Sequence, residues 1–234
     1  MDSKGIEKED KDVIAIAIKE EQARKDQKPW PITTEEAAEF AAQVFGLTGI
    51  DVSKVKEFVS YDDRNYFLPS VSYLNAQTNV SETLDVIFKV HNGVESENEP
   101  LIRAHNYVLS QVFQSGVNVP EPLPIKTGAD TIGWIDLKLI RDPSNTRKHA
   151  VRLLRFIPGV IIDQSEEESP ELLKHLGSFV GKMDRILLQL PEVPKGLEGR
   201  ILLWDLKNVP ALSRFSECII DLDNRALQVQ QYKY

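Results

Sequence analysis

The stretch "ETLDVIFKVHN" (82–92) constrains the fold more than any other part of the chain. Leu84, Val86, Phe88 and Val90 recur at every second residue, with Asp85, Ile87 and Lys89 between them. A period of two is the signature of a strand, whose side chains alternate between the faces of a sheet. One face of this strand is wholly apolar and must be covered. The other mixes Ile87 with two charged groups, so it borders a half-open surface. Two extended segments precede it, "KVKEFVS" (54–60) and "NYFLPSVSYL" (65–74), and two follow, "TIGWIDLKLI" (131–140) and "HAVRLLRF" (149–156). The turn-rich "RDPSNTRK" joins the last two as a hairpin, and "VPEPLPIK" reads as a proline-studded edge.

Helices are signalled around these strands. Thr33 and Glu36 form a capping-box pattern, Phe40, Val44 and Phe45 follow at helical spacing, and Gly46 supplies the stop. Pro100 suits a first helical turn, and Leu101, Ile102, Val108, Leu109, Val112 and Phe113 form a buried stripe that ends at Gly116. "IPGV" (157–160) breaks the pattern and reads as a hinge. Beyond it, Ser169-Pro170 opens a helix through Leu190, with Leu172, Leu176, Val180, Met183 and Leu187 on one face. Residues 203–234 read as further helix with one break.

The expected fold is α+β. A five-stranded antiparallel sheet with a helix packed on it, over 31–156, is followed by an incomplete, mostly helical lobe over 157–234. Residues 1–30 are rich in Lys, Glu and Asp, and they predict a charged disordered tail holding at most a short helix. No internal repeat is present.

Composition narrows the function classes. Charged residues make up 27% of the chain, and net charge is −8, without the excess of Lys and Arg that a nucleic-acid surface requires. The longest apolar runs, such as "VIAIAI" (13–18), fall far short of the ~20 residues that span a bilayer. No signal peptide is read, and one cysteine, Cys218, suits a reducing compartment. Cys218 reads as a small half-buried residue, with no histidine beside it to activate a nucleophile. Cytoplasm is the default location, with neither nucleic acid nor membrane as partner.

One stretch is more polar than a sheet requires. "SYDDRNYFL" (60–68) places Ser60, Asp62, Asp63, Arg64 and Asn65 at the mouth of a strand. Such residues favour turns with local side-chain hydrogen bonds, and Lys89 alone reads first as a solvated strand lysine lying along Ile87. Their order carries more information. A polar turn, a strand, an inward lysine, a helix, two strands and a hinge follow one another as in the small lobe of a protein kinase, where a lysine grips nucleotide phosphates.

"SYDDRNYFL", "VIFKVHN", "VRLLRFIPG" and "LWDLKNVP" resemble the aminoglycoside phosphotransferase-like, or kinase-like, family, in order over about residues 34 to 230. The resemblance implies a bilobal kinase-like fold and a small-molecule kinase acting in the cytoplasm. It implies transfer of the γ-phosphoryl of GTP (or ATP) to an alcohol on a small amino acid or amino alcohol, here 5-hydroxylysine. It places the turn Ser60–Asn65, with Asp63 and Arg64, where the phosphate-covering loop lies, although without that loop's glycines. Lys89 stands at the phosphate lysine, and "LLRF" (153–156), with Leu154 and Phe156, stands where hinge backbone groups meet the base.

Two departures qualify this. Kinase-like sites pair the lysine with a glutamate from the small-lobe helix, and "LIRAHN" places Arg103 at that position, where it would repel Lys89. Glu97 and Glu99, a turn or more earlier, are the substitutes at hand. The family's catalytic loop, H-x-D-x-x-x-x-N, supplies the aspartate base and a magnesium ligand, yet none of the four histidines begins such a run. "IIDLDN" (219–224) imitates the metal-binding strand that follows that loop, but two acids at a helix start account for it better. The sequence therefore supplies no catalytic residue and no magnesium ligand, and it looks truncated before the catalytic loop. A phosphotransferase inactive in this form is one reading. A non-catalytic nucleotide-binding or protein-interaction module is the other.

Overall fold

The computed structural model describes residues 3–161, 169–200, 202–209 and 218, with side chains from residue 13 onward. Its compact units are Arg24–Glu198 and, separately, Met1–Ala23 with Gly199–Tyr234.

In the larger unit, every strand pairing is antiparallel. Strand β1 (Lys56–Phe58) pairs with β2 (Arg64–Asn75), β2 with β3 (Val80–Val90), and β3 with β6 (Thr146–Arg155). The far flank of β6 takes β5 (Gly133–Lys138) and the two-residue β4 (Pro122–Leu123). The sheet therefore has six strands where five are expected. The proline-studded edge contributes the extra one, because Pro122 and Leu123 reach the rung of Leu154 and Leu153 before the chain turns away. The expected hairpin is present, with Lys138 opposite Thr146.

The alternation in β3 is realised in the burial. Leu84, Val86, Phe88 and Val90 are buried, and Tyr66, Leu68, Val71, Val151 and Leu153 share their face. Helix α2 (Thr34–Phe45) covers that face with Ala37, Ala41 and Phe45. Its capping box is complete. The Glu36 amide donates to Thr33 Oγ1 at 3.2 Å, and the Thr33 amide donates to Glu36 Oε2 at 2.7 Å. Gly46 ends the helix at φ 72°, in the left-handed region that favours glycine. Each large apolar side chain sealed here is worth roughly 1.5–3 kcal/mol, so this face is the main source of stability.

The opposite face carries Lys89. Helix α4 (Glu99–Gln114) packs over part of it through Ile102, against Ile132 and Ala150. A short helix α3 (Gly93–Ser96) links β3 to α4 and is capped by Asn92 Oδ1, which accepts from the Glu95 amide at 3.0 Å. Helix α5 (Pro170–Leu188) is capped by Ser169 and meets α4 through Met183 and Ile186. Leu172 is half-buried, and the rest of the apolar stripe is partly exposed. Leu176, Val180 and Leu187 are 39%, 47% and 38% exposed.

The first thirty residues differ from expectation. Residues 3–26 form one helix, α1 (Ser3–Asp26), not a disordered tail. Ile14, Ala17 and Glu21 are buried along one side of it, at spacings of three and four that a predominantly charged composition conceals. Of the helices expected over 203–234, only 202–209 and Cys218 are described. Residues 202–209 form tight turns, and Cys218 is exposed. "IIDLDN" lies outside the described residues.

Candidate functional site

Strand register decides which groups share Lys89's face. Asn65 pairs with Lys89 and Phe58 pairs with Asn65, while Lys89 pairs on its other side with Arg152. One rung further, Phe67, Ile87, Leu154 and Pro122 form a second row on the same face. Directly paired residues project to the same side of a sheet, so these two rows form one surface.

The turn before β2 closes the end of that surface. Asp63 is buried and accepts from Lys89 Nζ through Oδ2. Its Oδ1 takes the Asn92 amide at 2.8 Å and Asn92 Nδ2 at 2.9 Å. Burial alone would raise the Asp63 pKa, but the Lys89 charge and these donors outweigh it and hold the carboxyl at about 2. Asp62 behaves oppositely. Burial, then the nearby Asp63 and Glu95 charges, push it above its ordinary value, and only partly does Arg24, 3.4 Å away, offset them.

The outside of the turn is held by residues 24–30, which the sequence reading assigned to a tail. Lys28 Nζ donates to the Ser60 carbonyl at 2.6 Å and to that of Tyr61 at 3.2 Å. Lys25 lies 4.6 Å from the Tyr61 ring centroid. The Gln27 carbonyl accepts from the Gly93 amide at 2.9 Å, and a Cβ on Gly93 would meet Gln27 Oε1 at 2.4 Å. Trp30 and Ile140 amides bond to Lys138 and Lys28 carbonyls, tying this strap to β5. In a trans peptide the C=O and N–H point in opposite directions. With two carbonyls drawn to Lys28, the Tyr61 and Asp62 amides therefore point away from it.

The expected site residues are only partly brought together. Ser60 and Asp63 lie in the turn, and Asn65 and Lys89 are paired. Arg64 does not join them. The pleat turns it to the other face, where its Nε donates to the Pro29 carbonyl at 2.9 Å and Nη1 to Glu57 at 2.6 Å. Leu154 lies in the second row. Phe156 also faces this side, but its amide donates to the Asp85 carbonyl at 2.9 Å, and that of Arg155 to the Glu121 carbonyl at 2.9 Å. These two N–H groups are held within the sheet.

The expected repulsion of Lys89 by Arg103 is absent. Arg103 turns outward to Glu99 at 2.6 Å and Asp130 at 2.9 Å. Glu97 pairs with Arg147 at 2.7 Å, so neither candidate glutamate is the partner of Lys89.

Sequence reasoning missed two groups. Phe58, Phe67 and Phe156 form an aromatic patch, with Phe67 and Phe156 centroids 4.6 Å apart and Phe58 stacked on Phe67 at 5.6 Å. Carrying the register from Lys89 back through β2 would have found Phe67. The second group is a buried polar chain. Arg152 Nε donates to His91 Nε2 at 2.9 Å, which leaves the proton on Nδ1 to donate to Glu95 Oε2 at 2.9 Å. Arg152 Nη1 reaches Asn106 Oδ1 on α4 at 2.7 Å. Burial lowers the His91 pKa, so it is neutral in this chain of bonds.

Asp63, His91 and Glu95 bring ligand atoms within 4.8 Å of one another. They do not fit a magnesium ion. Both His91 nitrogens are engaged, and a cation on Asp63 would have to displace the Lys89 ammonium. Among the described residues, no helix is long and apolar enough to cross a membrane.

Comparison with known proteins agrees with the fold. The chain is 26% identical over 201 residues to hydroxylysine kinase of Mus musculus, covering 86% of this chain and 51% of that protein. It is 28% identical over 171 residues to the Danio rerio hydroxylysine kinase, covering 72% and 44%. Among solved structures, the amicoumacin kinase hAmiN, in complex with AMP-PNP, Ca2+ and Ami, superposes with a TM-score of 0.51. That match has 16% identity and covers 92% of this chain and 54% of the other. These likenesses support a kinase-like family member. The chain spans about half the length of the curated relatives it matches. No family profile matches it.

Proposed function

We propose that this chain is the nucleotide-binding part of a hydroxylysine-kinase-like phosphotransferase. The observation that carries this is Lys89, held beneath a polar turn and beside an aromatic patch on one face of a kinase-like sheet. Lys89 Nζ offers a charged donor to the α- and β-phosphates. The Tyr61 and Asp62 amides, turned away from Lys28, supply further donors of the kind that cradle phosphates in turns. Phe67, Ile87 and Leu154 form an apolar row for a purine. With the Arg155 and Phe156 amides already bonded, backbone reading of the base falls to groups beyond them in the hinge at 157–160.

The kinase-like resemblance of the sequence makes GTP the expected donor, with ATP the alternative, and the relatives' name, hydroxylysine kinase, makes hydroxylysine the expected acceptor. In the kinase-like reaction, magnesium would supply neutralisation of the phosphate charge. The donor set at Asp63 does not hold it, so no step of this proposal runs through a metal here. None of the four histidines begins an H-x-D-x-x-x-x-N run, so this chain presents no base for the acceptor hydroxyl. We expect nucleotide binding without transfer.

Isothermal titration of the chain with GTP and with ATP, with and without magnesium, tests this. The expected result is a Kd on the order of 100 µM to millimolar, equivalent to about 4–5.5 kcal/mol, changed little by magnesium. No binding of either nucleotide would refute the reading. Transfer to hydroxylysine by this chain would refute the second part alone.

A further inference from the structure

We propose that Asp63, a residue of the phosphate-covering turn, replaces the helix glutamate as the positioning partner of the phosphate lysine. This rests on Lys89 being the phosphate group proposed above. In kinase-like sites, the lysine is oriented by a carboxylate on the small-lobe helix. Here that position on α4 holds Arg103, which is engaged with Glu99 and Asp130. Lys89 instead gives one donor to Asp63.

Asp63 is built for the role in two ways. First, its place does not depend on Lys89. Asn92 supplies two donors to Oδ1, and the same Asn92 caps α3 through its own Oδ1. The carboxylate is thus fixed to the end of β3 and the start of α3 before the lysine reaches it. Second, the pairing leaves Lys89 usable. An ammonium has three donors, Asp63 takes one, and the Lys89 side chain is 18% exposed against 8% for Asp63. The aspartate is sealed while the lysine still borders the open surface. A phosphate can therefore join the pair without displacing the carboxylate. Asp63 holds Lys89 at the border of the open surface and is not itself a phosphate contact, since a buried carboxylate with both oxygens occupied has only repulsion to offer an anion.

The test compares nucleoside triphosphate with nucleoside. The parent chain, Asp63→Asn, Lys89→Met and the double variant are titrated with GTP or ATP and with guanosine or adenosine, alongside thermal melts. Positioning predicts that Asp63→Asn weakens triphosphate binding about tenfold or more and leaves nucleoside binding unchanged. The double variant should then bind triphosphate no more weakly than Lys89→Met. A purely structural role would lower nucleoside and triphosphate binding alike, and that outcome overturns the proposal. So does triphosphate binding by Asp63→Asn that equals or exceeds the parent's, which would make Asp63 a latch over the lysine. Should Asp63→Asn fail to fold, Asn92→Ala decides. It keeps the charge but loosens the carboxylate, so a triphosphate-specific loss of roughly threefold is expected, and no loss overturns the proposal. A parent chain that binds triphosphate and nucleoside equally removes Lys89 as a phosphate group and the proposal with it. A parent that discriminates beside variants that do not differ removes Asp63 alone.

Discussion

Lys89 of β3 and Asp63 of the turn before β2 are joined across adjacent strands, and Asn92 holds the carboxylate from behind with two donors. Removing the lysine charge leaves the sealed Asp63 carboxylate uncompensated, which costs several kcal/mol, whereas Lys89 still borders the open surface. Lys89→Ala should therefore do two things. It should weaken triphosphate binding by roughly 1–3 kcal/mol, read by titration, and it should lower the melting temperature. Lys89→Arg should restore stability more fully than triphosphate affinity, because a guanidinium keeps the charge but changes its reach.

Acid should unfold the protein in two stages with a definite sign. Burial keeps the His91 and His149 pKa values below the ordinary 6.5. The unfolded chain therefore binds protons that the folded one refuses, and stability falls as pH drops below that value. Asp63 is depressed from 3.8 to about 2. Its contribution, about 2 kcal/mol, is fully present above roughly pH 4 and is lost as pH falls through its folded value. Denaturant melts between pH 7.5 and pH 2 check both stages. Asp63→Asn should remove the lower one.

Restoring a glutamate at the helix position should not help. Arg103 is paired at the surface with Glu99 and Asp130, and the charge of Lys89 is answered by Asp63. Arg103→Glu should leave triphosphate affinity unchanged. It should cost under about 1 kcal/mol of stability, since exposed pairs contribute little. A gain in affinity would show that α4 can reach Lys89 after all.

The strap at 24–30 should matter to the turn. Lys28→Ala frees the Ser60 and Tyr61 carbonyls. Amide hydrogen exchange over 60–63 should accelerate, and triphosphate affinity should fall with little change in melting temperature. Unchanged exchange would mean that Asp63 alone fixes the turn.

The face of α5 should promote self-association. Leu173, Leu176, Phe179 and Val180 are between 39% and 67% exposed, and uncovered apolar surface of this kind drives association. Size-exclusion chromatography should show oligomers of the isolated chain. Leu176→Lys with Val180→Lys should shift them toward monomer without lowering the melting temperature.

How much of this was legible depends on the distance over which each signal acts. The alternation of Leu84 to Val90, the Thr33–Glu36 box and the 138–146 hairpin are written locally, and the structure follows them. Lys89's inward direction follows from the same period of two. The partner of Lys89 could not be read this way. Asp63 and Asn92 meet it only because three segments converge, and no spacing encodes that. Arg64 misled for the opposite reason. It is adjacent in sequence to Asp63 and Asn65, but one residue along a strand reverses the face. In α1, charge dominated the composition and hid a buried stripe of only a few residues.

The choice of Asp63 over a helix acid has a mechanical consequence. In a site where the lysine is held by a helix carboxylate, swinging the helix outward uncouples the pair, and the helix serves as a lever on the lysine. Here the ion pair runs from strand to turn, so sliding or tilting α4 breaks no ionic bond of Lys89. What would break it is movement of the 60–63 turn, and that turn is pinned from outside by Lys28. On the positioning role proposed for Asp63, control over the lysine would lie with a seven-residue strap at the edge of the sheet rather than with the helix.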